Sequence, residues 1–227
     1  MTVWTTAPLV VGHRGGRGEG WPLENSLAAF ERARAEGARA VELDVRTHEG
    51  QVIVHHDPQR ASLAELRALG VPTLAEVLAW ARERDVAVNV ELKHDVPHRA
   101  ALAQATARSV RASRADVLLS SFDPLLLATA GALAPRAPRA LLVHRGQGRW
   151  AGVMQEAARA PFCGALHLER TQTEPEALAR YRRRGLRLGV WTVNDPREAV
   201  DLVALGVATI ISDAPGAILA ALGRVPR

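Results

Sequence analysis

Short apolar segments and amphipathic segments alternate along almost the whole of this chain. The apolar segments are rich in Val, Ile and Leu, which is typical of parallel strands that are covered by helices. One hairpin strand aside, eight strands are predicted, each followed by a helix. Eight such units in 227 residues predict an α/β fold, a (β/α)₈ TIM barrel that forms a single domain over residues 1–227. An open doubly wound sheet is the alternative, but no G-x-G-x-x-G motif follows the first strand in the required register.

The predicted boundaries come from turn residues and helix caps. The predicted strands are 9–13, 40–45, 51–55, 86–92, 117–120, 140–143, 165–168, 188–192 and 209–212. The first helix is predicted to be capped by Asn25 or Ser26 and to run to residue 36. The other predicted helices are 74–84, 97–113, 124–134, 150–160, 174–184, 196–205 and 215–222. The turn Glu49-Gly50 predicts a small β-hairpin after the second strand, and the link 56–71 is too short for a large cap insertion.

Two carboxylates share one face of the second strand, Val41-Glu42-Leu43-Asp44-Val45. Side chains alternate along a strand, so Glu42 and Asp44 point one way, with attachment points roughly 6.6 Å apart. Buried charge is costly unless it is paired or binds a metal. The strand therefore indicates a site, although ion pairs with Arg46 or with a cation on a neighbouring strand would also satisfy the carboxylates.

A third carboxylate is predicted beside them. In the segment 88–93, Asn89, Glu91 and Lys93 share the face opposite the valines and the leucine, and this strand is expected to neighbour the Glu42 strand. Functional groups in such barrels lie at the carboxyl ends of the strands. Three carboxylates converging there favour one hard divalent cation, Mg²⁺ or Ca²⁺. Glu91 could also pair with Lys93.

Two histidines and two cations complete the expected site. His13 ends the first strand and His56 follows the hairpin, and imidazoles suit general acid and general base roles near neutral pH. Arg14 and Lys93 can hold an anionic group between them. A divalent cation, two imidazoles and two cationic side chains together indicate attack on a phosphodiester. His55 is an alternative to His56 at this point.

The order of the motifs resembles the glycerophosphodiester phosphodiesterase family. The segments that carry the resemblance are His13-Arg14-Gly15, Glu24-Asn25-Ser26, Val41 to Val45, His56-Asp57, Val90 to Lys93, Ser121 to Pro124, Val190 to Asp195 and Leu205 to Pro215. The family pattern differs in two ways: it usually has a longer segment after the His-Asp pair, and threonine where this chain has Ser26 and Ser212.

The resemblance implies an enzyme that hydrolyses glycerophosphodiesters to an alcohol and glycerol 3-phosphate, with a role in lipid and glycerol metabolism. It implies His13 and His56 as the acid–base pair, Glu42, Asp44 and Glu91 as metal ligands, and Arg14 and Lys93 as phosphate contacts. It also implies that Glu24 and Trp191 line the pocket. His56, followed by Asp57, matches the family pair better than His55 does.

Composition bears on partners and location. The net charge is +5 and aromatic residues make up 4% of the chain, so nucleic acid is not an expected partner, because the stacking side chains are scarce. The sequence has no apolar run long enough to predict stable membrane insertion, and no secretory signal is apparent. With Cys163 as the single cysteine, a cytoplasmic location is expected. The oligomeric state is left open.

The residues are compatible with three other functions. A lysophospholipase D-like enzyme for larger lipids would suit a site without a cap segment. Lys93, the single lysine, could act as the Schiff-base nucleophile of an aldolase-type barrel, although neighbouring carboxylates would keep it protonated. A non-catalytic phosphate-binding barrel is the third, and the histidine pair argues against it.

Overall fold

The structure is a computed structural model, which describes residues 2–147 and 163–223. Its strands are β1 (Leu9–Gly12), β2 (Ala40–His48), β3 (Gln51–Val54), β4 (Ala87–Leu92), β5 (Val117–Ser121), β6 (Arg139–Val143), β7 (Ala165–Glu169), β8 (Arg187–Trp191) and β9 (Thr209–Ser212). The helices in the described part are α1 (Leu27–Ala35), α2 (Leu63–Ala68), α3 (Leu74–Arg84), α4 (Arg99–Ser113), α5 (Pro124–Leu133), α6 (Pro175–Arg183), α7 (Pro196–Ala204) and α8 (Pro215–Leu222).

Eight parallel strands close into a barrel. The sheet order is β1-β9-β8-β7-β6-β5-β4-β2, and β1 pairs with both β2 and β9, so the sheet has no free edge among these strands. In the described ranges an α-helix precedes the next barrel strand at every connection except that between β6 and β7, which lies mostly outside them, and the (β/α)₈ prediction is confirmed. The predicted helix 150–160 lies outside the described residues.

The hairpin strand β3 lies outside the barrel order. It pairs antiparallel with the far end of β2, where Val45 is opposite Val54 and His48 is opposite Gln51. This pairing carries β2 three residues beyond the predicted end at Val45, because residues 46–48 now have a partner strand. The extension places the turn between β2 and β3 beyond the end of the barrel. Strand β3 then returns from this turn towards His55 and His56.

One short helix was not predicted. The link between β3 and α3 contains α2, whose N-terminus is a capping box formed by Ser62 and Glu65. The second box, formed by Thr73 and Glu76, begins α3 at the predicted residue. A Ser-x-x-Glu pattern is a known helix start, so this signal was readable in the sequence.

Aliphatic residues pack inside the barrel (Leu9, Val11, Ala40, Ala87, Leu118, Ala140, Ala165 and Ile211). The charged side chains therefore lie towards the carboxyl ends of the strands.

Candidate active site

The three carboxylates meet at one point above the barrel interior. Strand β2 pairs with β4 so that Asp44 is opposite Glu91, two residues beyond the pair of Glu42 and Asn89. One oxygen from each of Glu42, Asp44 and Glu91 can be chosen such that all three lie within 4.8 Å of one another. Glu42 and Asp44 are buried and Glu91 nearly so. The shared strand face places the groups together without any contribution from loops.

The electrostatics of this cluster are those of crowded acids. Burial, together with the charges of Asp44 and Glu91, raises the pKa of Glu42 well above its ordinary value. Burial and the Asp44 charge raise the pKa of Glu91 to about 7. Burial acts in the same direction on Asp44, but Lys93 and Arg14 outweigh it and lower its pKa. Two of the three acids therefore resist ionisation until a cation joins them.

The donor set fits a hard divalent cation. The Oε1 atom of Glu42 is buried and has no hydrogen-bond partner among the described residues, while Oε2 accepts a hydrogen bond from the Arg14 main chain at 2.9 Å. An unpartnered buried carboxylate oxygen is costly. Oxygen ligands alone are the preference of Mg²⁺ and Ca²⁺.

Arg14 and Lys93 flank the carboxylates. Arg14 has a left-handed backbone (φ 51°), its Nη1 donates to Glu24 at 2.8 Å, and its Nε lies 3.2 Å from Asp44 Oδ2. Lys93 Nζ lies 3.0 Å from Glu91 and 3.3 Å from Asp44. Burial opposes protonation of Lys93, but both carboxylates outweigh it and raise its pKa. A permanently charged ammonium is a poor Schiff-base nucleophile, so the geometry argues against an aldolase-type reaction.

His13 is held by a carboxylate from the last strand. Its Nδ1 lies 2.8 Å from Asp213 Oδ1, and its Nε2 lies 3.9 Å from Glu42 Oε2. Burial lowers the pKa of His13, with the hydrogen bond to Asp213 opposing that shift. Asp213 in turn accepts hydrogen bonds from Arg17 Nε and Asn194 Nδ2, both at 2.8 Å. Hydrogen bonds from His13 and its other partners hold the pKa of Asp213 far below its usual range, although burial acts against this. Asp213 lies in the segment Leu205 to Pro215 that carries the family resemblance, but it was not predicted as a site residue.

His56, and not His55, faces the carboxylates. The side chain of His56 is 32% exposed and its Nδ1 lies 2.7 Å from Asp57 Oδ1. His55 turns the other way, where its ring contacts the Asp57 main chain and the Gln59 amide.

A cavity of about 300 Å³ joins these groups. One half is charged or polar and comes from the first strands and their loops: His13, Arg14, Arg17, Glu42, His56, Asn89, Glu91 and Lys93. The other half comes from the later strands and is mainly apolar: Phe122, Leu142, Trp191, Thr192 and Ile211. The pocket therefore has a side for an anion and a side for a less polar group.

Two residues predicted to line the pocket differ in their placement. Trp191 lines the apolar half, where its ring meets that of Phe122 edge to face at 5.6 Å and its indole N–H donates to the His167 carbonyl. Glu24 lies at the rim instead, bonded to Arg14 and near Arg17 at 3.4 Å, and is not among the residues that line the cavity. Phe122 was part of a quoted motif but was not proposed as a site residue.

The polar residues of the later strand ends contribute less. His144 packs edge to face on Phe122 at 5.2 Å, and Glu169 accepts a hydrogen bond from the Arg145 main chain. His167 is fully buried, which lowers its pKa to about 4. None of the three lines the 300 Å³ cavity. A larger groove of about 770 Å³ lies on the outer surface between α3 and α4, lined by alanines, serines and three charged side chains, away from the strand ends.

The chain is similar to known proteins over most of its length. The family model described as the glycerophosphoryl diester phosphodiesterase family matches residues 13–217. A glycerophosphodiester phosphodiesterase of Caldanaerobacter subterraneus is 27% identical over 240 residues, covering 93% of this chain and 96% of the relative.

Solved structures show the same architecture. A glycerophosphodiester phosphodiesterase of Thermotoga maritima superposes with a TM-score of 0.75 at 28% identity, covering 95% of this chain and 98% of the other. A phosphodiesterase of Oleispira antarctica, solved with the product sn-glycerol-3-phosphate, shares the fold with a TM-score of 0.82 at 24% identity, covering 96% and 97%. The extent of the family match decides the assignment: the chain belongs to the glycerophosphoryl diester phosphodiesterase family.

Proposed function

We propose that this enzyme hydrolyses glycerophosphodiesters to an alcohol and glycerol 3-phosphate, using His13 and His56 as the acid–base pair. The observation that carries the proposal is the convergence of Glu42, Asp44 and Glu91 on one point, beside a cavity that is lined by Glu42, Glu91 and both imidazoles. The product complex of the Oleispira phosphodiesterase supports glycerol 3-phosphate as the product.

Glu42, Asp44 and Glu91 would hold one divalent cation, Mg²⁺ or Ca²⁺. When bound, such an ion supplies Lewis-acid stabilisation of charge on the phosphoryl oxygens. Arg14 and Lys93 border the same cavity and add positive charge on the side where a phosphate would bind. Arg14 is paired with Asp44, and Lys93 with Asp44 and Glu91. A phosphate bound by these two side chains would therefore lie next to a divalent cation bound by the carboxylates.

The histidines divide the proton transfers. Asp213 accepts the Nδ1 proton of His13, which leaves Nε2 as the atom able to accept a proton. We assign His13 as the base that takes a proton from the attacking hydroxyl. Attack by water gives glycerol 3-phosphate directly, whereas attack by the glycerol hydroxyl gives a cyclic phosphate that water then opens to glycerol 3-phosphate. His56, held by Asp57, would protonate the oxygen of the leaving alcohol. The two imidazoles border the same cavity, as this division requires.

The apolar half of the cavity favours one variant of this function. Phe122, Leu142 and Trp191 offer apolar surface, which would suit the hydrocarbon part of a head group or of a lysophospholipid. Substrate choice is therefore proposed to depend on this wall. The single domain, the cytoplasmic location and the lack of a nucleic-acid partner stay predictions from the sequence. No helix in the described ranges is long and apolar enough to span a bilayer.

The decisive experiment is an activity panel with glycerophosphodiesters that differ in the head group alone, together with a lysophospholipid. Each substrate is assayed after chelation and after addition of Mg²⁺ or Ca²⁺. We expect glycerol 3-phosphate as the common product, loss of turnover on chelation and recovery with a divalent ion. Turnover that survives chelation would contradict the metal role, and a panel without hydrolysis would contradict the function.

A further inference from the structure

A buried guanidinium lies two residues beyond the carboxylates on the same face of β2. Arg46 follows Glu42 and Asp44 in the strand alternation and is 5% exposed. It makes no contact with those carboxylates. Its Nε donates to the main-chain oxygen of His56 at 2.7 Å and its Nη1 to that of Asp95 at 3.2 Å. Its Nη2 lies 2.8 Å from each carboxylate oxygen of Asp95.

The segment that carries His56 has few other attachments. In the described part of the chain, Arg46 Nε is the one hydrogen-bond partner of the His56 main chain. The ring of His56 bonds to Asp57, whose side chain is 72% exposed and itself has little packing. Upstream of His56, the His55 amide donates a hydrogen bond to the Asp44 carbonyl of β2. This main-chain hydrogen bond attaches the segment to β2 on the upstream side of His56. Arg46 therefore supplies the second attachment.

The other end of the guanidinium reaches the loop that follows β4. Asp95 is two residues after Lys93, and the Lys93 amide donates to the Val45 carbonyl at 3.3 Å. One planar group thus connects the loop of His56 with the loop of Lys93. The connection depends on a rigid fork that donates in several directions at once, and a lysine ammonium at the same position cannot reproduce this geometry.

We propose that Arg46 and Asp95 are positioning residues, which fix His56 at its working distance from a phosphodiester bound beside Lys93. The inference rests on the proposed function, because Arg46 and Asp95 would act only by holding His56, whose catalytic role is part of that function. A displacement of about 1 Å at a reacting group can cost on the order of 100-fold in rate. The guanidinium holds the main chain of His56 directly, so its loss is expected to displace the imidazole and leave the carboxylate cluster in place.

The test compares Arg46→Lys and Asp95→Asn with a matched control, Arg67→Lys. Arg67 likewise bridges a main-chain oxygen, that of Val71, and a carboxylate, that of Glu76, but on the outer helices α2 and α3. We expect Arg46→Lys to lower kcat roughly 10- to 100-fold with little change in KM. Asp95→Asn should give a smaller loss of kcat, and Arg67→Lys should match the wild type.

A double variant separates positioning from general damage. If Arg46 acts through His56, Arg46→Lys should cause no further loss of kcat in a His56→Ala background. An undiminished further loss there would overturn the proposal, as would wild-type kcat in Asp95→Asn. Asp95 has a side chain that is 49% exposed, so this variant is expected to fold even if Arg46→Lys does not. Wild-type turnover is measured first, and its absence would overturn the proposed function itself.

Discussion

His13 and Asp213 are 200 residues apart in the chain, and their side chains lie 2.8 Å apart. Closure of the barrel produces this contact, because β1 pairs with β9 and Gly12 is opposite Ser212. The carboxylate accepts from Nδ1 and so determines which nitrogen of the imidazole is available to a substrate. On the proposed mechanism Asp213 would therefore act in proton transfer by orienting His13, without contact with the substrate.

Removing the negative charge from Asp213 should slow the reaction without unfolding the protein. In Asp213→Asn the amide can bond to either tautomer of His13, so Nε2 is no longer reserved for accepting a proton. We expect kcat to fall by roughly 10- to 100-fold, within the range that a general base contributes. Steady-state kinetics measure this, with the exposed Asp201→Asn on α7 as a control for surface charge. Unchanged kcat in Asp213→Asn would contradict the assignment.

The two adjacent histidines should differ sharply. His56 lines the cavity and His55 contacts Gln59 outside it. His56→Ala is expected to lower kcat by about 100-fold or more, whereas His55→Ala should stay close to the wild type. The same assay and the same thermal unfolding experiment apply to both variants. Equal losses in the two would show that the segment is sensitive as a whole and that His56 has no special role.

A divalent cation should raise the thermal stability of the protein through Glu42. A ligand that binds the folded state alone stabilises it by about 2.7 kcal/mol at a concentration 100 times its Kd. We expect Mg²⁺ or Ca²⁺ to raise Tm in the wild type and in Asp57→Asn, and to have little effect in Glu42→Gln. Calorimetric scans with and without a chelator provide the measurement. A cation effect of wild-type size in Glu42→Gln would place the ion elsewhere.

Without a cation, the raised pKa of Glu91 makes stability depend on pH. The folded carboxyl keeps its proton up to a pKa of about 7, whereas the unfolded one loses it near its ordinary value of 4.5. Its contribution is therefore complete below pH 4.5 and is lost as the pH rises through 7. The lowered pKa of His13 acts in the opposite direction below its ordinary value of 6.5, so the wild-type curve alone is ambiguous.

The difference between the wild type and Glu91→Gln isolates this effect. We expect the free energy of unfolding of the chelated wild type, relative to that of Glu91→Gln, to fall between pH 5 and pH 7. Urea unfolding at several pH values measures both proteins. A saturating divalent cation should remove the trend, since it takes the place of the proton. A constant difference across this range would contradict the shift at Glu91.

The sequence alone supported the barrel and the carboxylate cluster because both depend on local periodicity. Alternation on β2 and β4 placed Glu42, Asp44 and Glu91 on facing positions, and the Thr73 capping box located the start of α3. The contacts of Asp213 with His13 and of Arg46 with Asp95 could not be predicted in this way. They depend on which strands become neighbours and on how far a loop folds back, neither of which has a sequence period.

The short helix α2 is a different case, since the Ser62 and Glu65 pattern was present but its six residues show too little apolar periodicity to attract notice. Glu24 shows a further limit. The resemblance associates it with the pocket, while the structure gives its carboxylate to Arg14 and Arg17 at the rim.

The pairing of the first strand with the last has a consequence for biosynthesis. A polypeptide emerging from the ribosome carries β1, β2 and β4, and with them the three acids, long before Asp213 is synthesised. Until then the contact with His13 Nδ1 cannot form. On the proposed mechanism, catalytic competence therefore arrives only when β9 pairs with β1.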